Sequence, residues 1–217
     1  RQRVDATPAN AAALNINLYC VYGAAANDLW VGGYEYALHY DGSNWNTYKV
    51  ADSIIVGSIS GNGKYLYLTT YSPWNNNDLR SIYLLRNNTF ELIEQAPNYP
   101  IKFGLGLWAR QNDLKTFADG IITTKINTDG TIDVNGWYRE LTASSFLGSY
   151  FIQSIKNVFA VGQVNTVYHY NGTDWAQINI NVPGHTVNPL AWFWGVWTDG
   201  DVVFICDRDH GIVYHGR

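Results

Sequence analysis

Hydrophobic and polar positions alternate along this chain in short runs, and no long stretch keeps the 3.6-residue spacing of an amphipathic helix. Ser149–Ser154, Val158–Gly162, Val167–Tyr170 and Trp175–Ile180 form one series of four such runs. Lys156-Asn157, Gln163–Thr166 and the turn pair Asn171-Gly172 separate them. The pattern predicts four strands joined as hairpins. Leu18–Gly23, Leu29–Gly33, Ala37–Tyr40 and Trp45–Val50 repeat the layout, with Asp41-Gly42 as the turn. Only "ATPANAAAL", near the start, permits a helix; it is short and reads as an entry segment.

The layout recurs because the sequence does. Asn157–Trp175 overlies Asn27–Trp45 without a gap, sharing Asn, Val, Gly, His-Tyr-Asx-Gly and the closing Trp. Ser81–Phe90 overlies Thr166–Trp175, with Phe90 in place of the Trp. A looser copy starts at Ile122 and closes on Trp137, and Tyr214-His215 matches Tyr168-His169 near the end. Corresponding positions are His39, Leu84, roughly Lys125, His169 and His215. Five units of about 44 residues account for nearly the whole chain.

Four-stranded units of that period predict an all-β, five-bladed β-propeller of four-stranded antiparallel blades, a single domain over residues 1–217. The blades fall roughly at 15–50, 53–95, 101–142, 146–180 and 190–217 plus 1–6. The first strands are aromatic and glycine-rich, as crowding at a propeller axis demands, and Trp45, Phe90, Trp137 and Trp175 are expected as buried wedges between blades. Unit five stops after its third strand. The expectation is that residues near Gln2 to Asp5 pair with Gly211 to His215 and close the ring with an N-terminal strand.

"NDLWVGG…ALHYDGSNW" resembles the repeats of large bacterial extracellular β-propeller proteins, in which "VWAVG" precedes "LHYDGxxW". More loosely it is similar to Asp-box and kelch repeats, and the size resembles that of five-bladed lectins of the tachylectin type. The resemblance covers nearly the whole chain and implies the fold rather than a chemistry.

Composition then narrows the functional classes. Charged residues make up 15% of the chain and aromatics another 15%, with 9 Trp. That leans toward an extracellular, cell-surface or periplasmic setting. A net charge of −4 without a basic run argues against nucleic acid. No 18-residue apolar stretch offers a membrane span. The first residue is Arg1, which reads as a mature or trimmed product. Cys20 and Cys206 fall in the first and last units, where a disulfide stapling the two blades and two buried free thiols are both open readings. No Cys/His spacing suggests a metal, and no cofactor motif is present.

Candidate chemistry lies in the loops joining second to third strands and one blade to the next. The binding candidates there are Tyr34, Tyr36, Tyr71, Trp74, Asp78, Tyr99, Asp119, His185, Trp192, Asp207 and His210. Two of these loops, Thr70–Arg80 and Asn181–Trp192, are longer than the repeat needs. Aromatics beside amides and carboxylates suit a sugar, the ring stacking on its apolar face; the competing reading makes Trp74 and Trp192 packing plugs. Glu35, Asp78, Asp119, Asp207 and Asp209 could supply an acid–base pair, yet turn chemistry explains Asp119, Asp207 and Asp209. His39, His169 and His215 read as a repeated structural contact rather than metal ligands. Asn87 and Asn171 head formal glycosylation sequons but sit in turns. The expected function is a non-enzymatic module binding a glycan or an extracellular protein, or a scaffold in a larger surface assembly. The alternative is a glycoside-active enzyme using axial carboxylates.

Overall fold

The computed structural model describes residues 17–72, 79–96, 106–154, 156–180 and 187–216. They form nineteen strands and, among the described residues, no helix. Blade one is β1 (Leu18–Ala25), β2 (Asp28–Gly33), β3 (Tyr36–Tyr40) and β4 (Trp45–Lys49). Blade two is β5 (Ile55–Gly61), β6 (Leu66–Tyr71), β7 (Arg80–Arg86) and β8 (Thr89–Ala96). Blade three is β9 (Gly106–Arg110), β10 (Asp113–Ala118), β11 (Gly120–Lys125) and β12 (Tyr138–Thr142). Blade four is β13 (Leu147–Ser154), β14 (Asn157–Gly162), β15 (Val167–Tyr170) and β16 (Trp175–Gln177). Blade five is β17 (Phe193–Thr198), β18 (Val203–Asp207) and β19 (Val213–Gly216). Each blade is a meander in chain order, with three strands rather than four described in the fifth. The expected closing strand near Gln2 to Asp5 lies outside the described residues.

The chain divides into two compact units, Arg1–Lys115 with Thr123–Trp137, and Thr116–Ile122 with Tyr138–Arg217. Within the first unit, Trp30 and Ala37 of blade one are buried with Val56, Ile59 and Leu68 of blade two. Tyr67, Ile82 and Leu84 of blade two are buried in turn with Leu107, Ala109 and Leu114 of blade three. Within the second, Phe159, Val161 and Val167 of blade four meet Phe193, Val196 and Ile205 of blade five. Within each unit the cores therefore lie between neighbouring blades, because alternation along a strand sends successive side chains to opposite faces of its sheet.

The first strand carries a bulge at the same place in four blades. Pairing with the second strand skips between Leu18 and Cys20, Val56 and Ser58, Leu147 and Ser149, and Phe193 and Gly195. The skipped residues are Tyr19, Gly57, Gly148 and Trp194. A bulge turns its extra side chain out of the ladder.

The repeated phrase holds in structure with one correction. His39 pairs across from Trp30 and His169 from Phe159. The gapless overlay would have set Trp30 on Ala160, so the second strands match with a one-residue shift. The extra residue sits in the blade-four loop 163–166. Each imidazole stacks on the ring opposite it, with centroids 4.1 Å apart for Trp30–His39 and 4.4 Å for Phe159–His169. Each also meets an oxygen two residues before that ring, Asp28 Oδ1 or Asn157 Oδ1, at 2.8 Å. The structural contact is thus to a side chain, not to backbone.

Both turns are four-residue loops rather than two-residue hairpins. Asp41 Oδ1 accepts from Ser43 N and Asn44 N, and Asn171 Oδ1 from Thr173 N and Asp174 N. Gly42 and Gly172 supply the positive φ that such a turn needs, 94° and 100°. Asn87 and Asn88, both at positive φ, do form the two-residue turn of blade two.

Trp45 and Trp175 are equivalent, each tilted on the Tyr across the hairpin, with centroids 5.3 Å apart for Tyr40–Trp45 and 5.2 Å for Tyr170–Trp175. Both are half-buried instead of mostly buried, because they cover their own blade's tyrosine. Phe90 is the deep wedge, lying edge-on to Trp30 and buried in the core between blades one and two. Trp137 packs against the core between blades two and three. Both cysteines are free thiols: Cys20 is half-buried and Cys206 exposed.

Candidate functional site

Five of the seven described candidates gather in two places. In blade one, Tyr34 and Tyr36 flank Glu35, which sits at φ 63°. The Glu35 carboxylate accepts from Lys49 Nζ at 2.6 Å and from Ser53 N at 2.7 Å. Lys49 also pairs with Asp52 and lies 4.8 Å from the Tyr36 ring centroid. The Lys49 bond, then the Ser53 amide, hold the Glu35 carboxyl below its ordinary range. This cluster ties the β2–β3 loop to the chain entering blade two, through Glu35 N to Ile54 O and Val50 N to Glu35 O. Its groups satisfy one another, so a structural lock accounts for it.

Tyr71 ends β6, half-buried, opposite Ile55 and Arg80. Asp119 stands in the tight turn between β10 and β11, its carbonyl accepting from Arg139 Nη1 and Ala143 N. Trp74, Asp78, Tyr99 and His185 lie outside the described residues.

The second gathering is at one end of blade five, where the chain entering β17 meets the β18–β19 loop. The Asp207 side chain is fully buried. Its Oδ1 accepts from the amides of Asp209 and His210, and its Oδ2 meets His210 Nδ1 at 2.9 Å. With that nitrogen donating, His210 Nε2 is the acceptor for the Asn188 amide at 3.1 Å. Asp207 thus shapes the loop rather than facing solvent. The loop in turn presents Arg208. Its Cζ lies 3.8 Å from the Trp192 ring centroid and 5.5 Å from that of Trp194. Arg208 N donates to Trp192 O, and Arg208 Nε donates to Asp209 Oδ1 at 2.7 Å. The two indoles meet edge-on at 5.4 Å.

Trp192, Asp207 and His210 were legible as loop residues, but Trp194 and Arg208 were not among the candidates. Trp194 is the bulge residue of β17. Where blades two and four place glycine, blade five extrudes an indole, which is half exposed. Gly148, the bulge glycine of blade four, lies beside both indoles. The blade-four loop adjoins the same place, with Asn165 N donating to Ala191 O at 2.8 Å. The signal available in sequence was the bulge alignment itself, Trp194 against two glycines. Among the described residues, no group of three His, Cys, Asp or Glu side chains could hold a metal.

The arrangement offers a guanidinium cushioned on one indole, a second indole turned outward and a rigid acidic anchor beneath. That is a contact surface of aromatic and cationic character.

No family model matches the chain, and no curated protein matches it in sequence. Solved structures do. It is similar to YCF48 from Cyanidioschyzon merolae, with TM-score 0.61 and 13% identity, over 88% of this chain and 64% of that one. It is similar to the WD40 beta propeller domain of Doa1, with TM-score 0.54 and 7% identity, over 92% and 68%. It also matches a chain of the Mitotic Checkpoint Complex, with TM-score 0.57 and 14% identity, over 92% and 65%. At such identities the likeness establishes the fold, a β-propeller, here of five blades. The chain spans about two thirds of the length of these structures. No helix among the described residues is long and apolar enough to cross a membrane.

Proposed function

We propose that this chain is a non-enzymatic recognition and scaffold propeller of an extracellular, cell-surface or periplasmic assembly, and that it holds a protein partner at the blade-four and blade-five loop surface. The observation that carries the reading is Trp194, extruded by a bulge that is glycine in two other blades and set beside Arg208 on Trp192. Trp and Arg are the residues on which protein interfaces concentrate their energy. The carboxylate that could have gripped a sugar, Asp207, is consumed internally by His210 and two amides. A fold likeness to a chain of a multiprotein complex accords with this, as does a chain poor in charged residues. The half-exposed Trp194 ring supports glycan binding as a second reading.

The test compares the unaltered chain with Trp194→Ala and Arg208→Ala in capture of surface and secreted proteins and in a polysaccharide panel. Both residues are exposed, so the variants keep the fold. Loss of a captured protein in both variants supports the reading. Binding only to a polysaccharide replaces it with the glycan reading, and capture unaffected by either change removes the site.

A further inference from the structure

Beside the Trp192–Arg208 contact runs a chain of hydrogen bonds whose directions are all fixed. It begins at Leu190 N, which can only donate and does so to Asn188 Oδ1 at 2.9 Å. That sets the Asn188 amide, so Nδ2 is the group facing His210 Nε2 at 3.1 Å. A ring nitrogen that accepts there carries no proton, and the proton of the neutral ring sits on Nδ1, 2.9 Å from Asp207 Oδ2. Asp207 Oδ1 is taken by the amides of Asp209 and His210. The chain ties the segment entering β17, which carries Trp192, to the β18–β19 loop, which carries Arg208. All of these residues belong to one compact unit.

Such a chain has one place for a further proton, His210 Nε2, and cannot accept it unchanged. Histidine is the side chain that ordinarily changes charge between about pH 5 and pH 8. Among the described residues, the titratable and charged groups around it are Asp207, Arg208 and Asp209 on its own loop, and Tyr214 of β19, within electrostatic reach of Asp207. Residues 187–192 of the entering segment and the blade-four loop 163–166 carry none. The imidazolium keeps its bond to Asp207, an opposite charge 2.9 Å away. Its Nε2–H then faces the Asn188 amide donor to donor. Turning that amide over to offer Oδ1 sets Nδ2 against Leu190 N, another donor, so one hydrogen bond is lost either way. We infer that His210 is a proton switch: protonation at Nε2 unties the segment entering β17 from the β18–β19 loop and loosens Trp192 from Arg208. The tie is present with neutral His210 and is lost as pH falls through the His210 midpoint. That the switch governs grip on a protein partner rests on the recognition reading; the switch itself does not.

NMR of the isotope-labelled full chain from about pH 8 to pH 5 tests the switch without any partner, with His210 assigned by its absence in His210→Gln. Above its midpoint the His210 ring is the Nδ1–H tautomer. The Leu190 amide, the Asn188 side-chain amide and the Arg208 δ-protons, which the Trp192 ring displaces upfield, all follow the His210 midpoint, and the Arg208 displacement shrinks in acid. Asn188→Asp inverts the response: its carboxylate keeps Leu190 N and accepts from the imidazolium, so the displacement grows in acid. A purely structural His210 would produce no such inversion. If Asn188→Asp misfolds, His210→Gln replaces it, with an Arg208 displacement independent of pH over the same range. Three results overturn the inference. One is a neutral His210 ring in the Nε2–H tautomer. Another is Arg208 and Leu190 resonances that stay in place while His210 titrates. The last is an Arg208 displacement that shrinks in acid in Asn188→Asp as it does in the unaltered chain, or in His210→Gln. Capture of surface and secreted proteins in neutral and acid buffer is read separately. Where Arg208 follows His210 and capture weakens about two- to tenfold in acid, the worth of one hydrogen bond, switch and recognition stand together. Where Arg208 follows His210 and capture is unchanged, the switch stands and the recognition reading falls.

Discussion

Blades one and four carry the same phrase and solve the same problem with different charges. In each, an imidazole on the third strand stacks on the aromatic ring of the second and meets an oxygen two residues before that ring. In blade one the oxygen belongs to Asp28, in blade four to Asn157. The ring-to-ring distances differ by little, and the hydrogen bonds are equal in length. What the repeat requires is an acceptor at that position and a flat ring over the core aromatic; whether the acceptor is charged is left free. Geometry is shared between blades, whereas electrostatics is tuned blade by blade.

The largest effects should come from what the two blades share. Trp30→Ala and Phe159→Ala each remove a buried ring from an inter-blade core, and each should cost about 3–5 kcal/mol in denaturant unfolding. A loss below about 1 kcal/mol at either would break the equivalence, because it would mean that the ring is not the floor on which the histidine rests.

The closing tryptophans sharpen the contrast at a smaller scale. Trp175 Nε1 donates to Glu140 Oε1 at 3.0 Å, whereas Trp45 Nε1 is buried without a hydrogen-bond partner. Substitution by Phe removes similar area from both half-buried rings. The difference between the two variants therefore isolates the bond. Trp175→Phe should be the more destabilising by about 1–2 kcal/mol, since it removes a hydrogen bond to a carboxylate while Trp45→Phe removes an orphaned donor. Equal losses would show that the Glu140 bond contributes nothing.

The one-residue difference between the loops should appear next. The longer blade-four loop places Val164 at φ 55°, a conformation that disfavours a β-branched residue. Its side chain is exposed, so little contact is lost on removal. Val164→Gly should stabilise by about 0.5–1 kcal/mol, strain relief exceeding the entropy of the added glycine. A loss of stability would place the strain elsewhere in the loop.

That extra residue also marks how far the sequence could be read. Blade number, the strand order and the equivalence of His39, Leu84, His169 and His215 were legible, because a 44-residue period and turn pairs are local signals. The register of the second strand was not. Val-Gly occurs at both 31–32 and 161–162, so an overlay without a gap looked better than the true one. A slip of one residue turns every side chain to the other face, and only the ladder resolves it. The bulge hid Trp194 in the same way: "WFWGVW" alternates regularly on paper, and nothing local says that one of its residues is extruded. Asp207 was legible as a turn residue and is one. The histidine contact was legible as structural, but its partner was not, since Asp28 and Asn157 also read as turn formers.

The smallest effect is the one that tests the charge difference directly. Burial holds the His169 imidazole below the ordinary histidine range, because the site disfavours the charged ring and Asn157 offers no compensating charge. The unfolded chain therefore takes up this proton at higher pH than the folded one does. The stability tied to the neutral ring is fully present above the unfolded value near pH 6.5, is lost as pH falls from there through the lower folded value, and changes no further below it. Asn157→Asp gives blade four the acceptor of blade one. A carboxylate 2.8 Å from the ring favours the imidazolium, so the His169 titration should move upward and the loss of stability on acidification should shrink or reverse. A proton NMR titration of His169 in both forms reads this without unfolding the protein. If His169 in the unaltered chain titrates at or above the ordinary histidine value, burial does not govern it. If Asn157→Asp leaves its titration unmoved, the ring is too solvated to feel its partner, and the Asp28–His39 and Asn157–His169 pairs differ in name only.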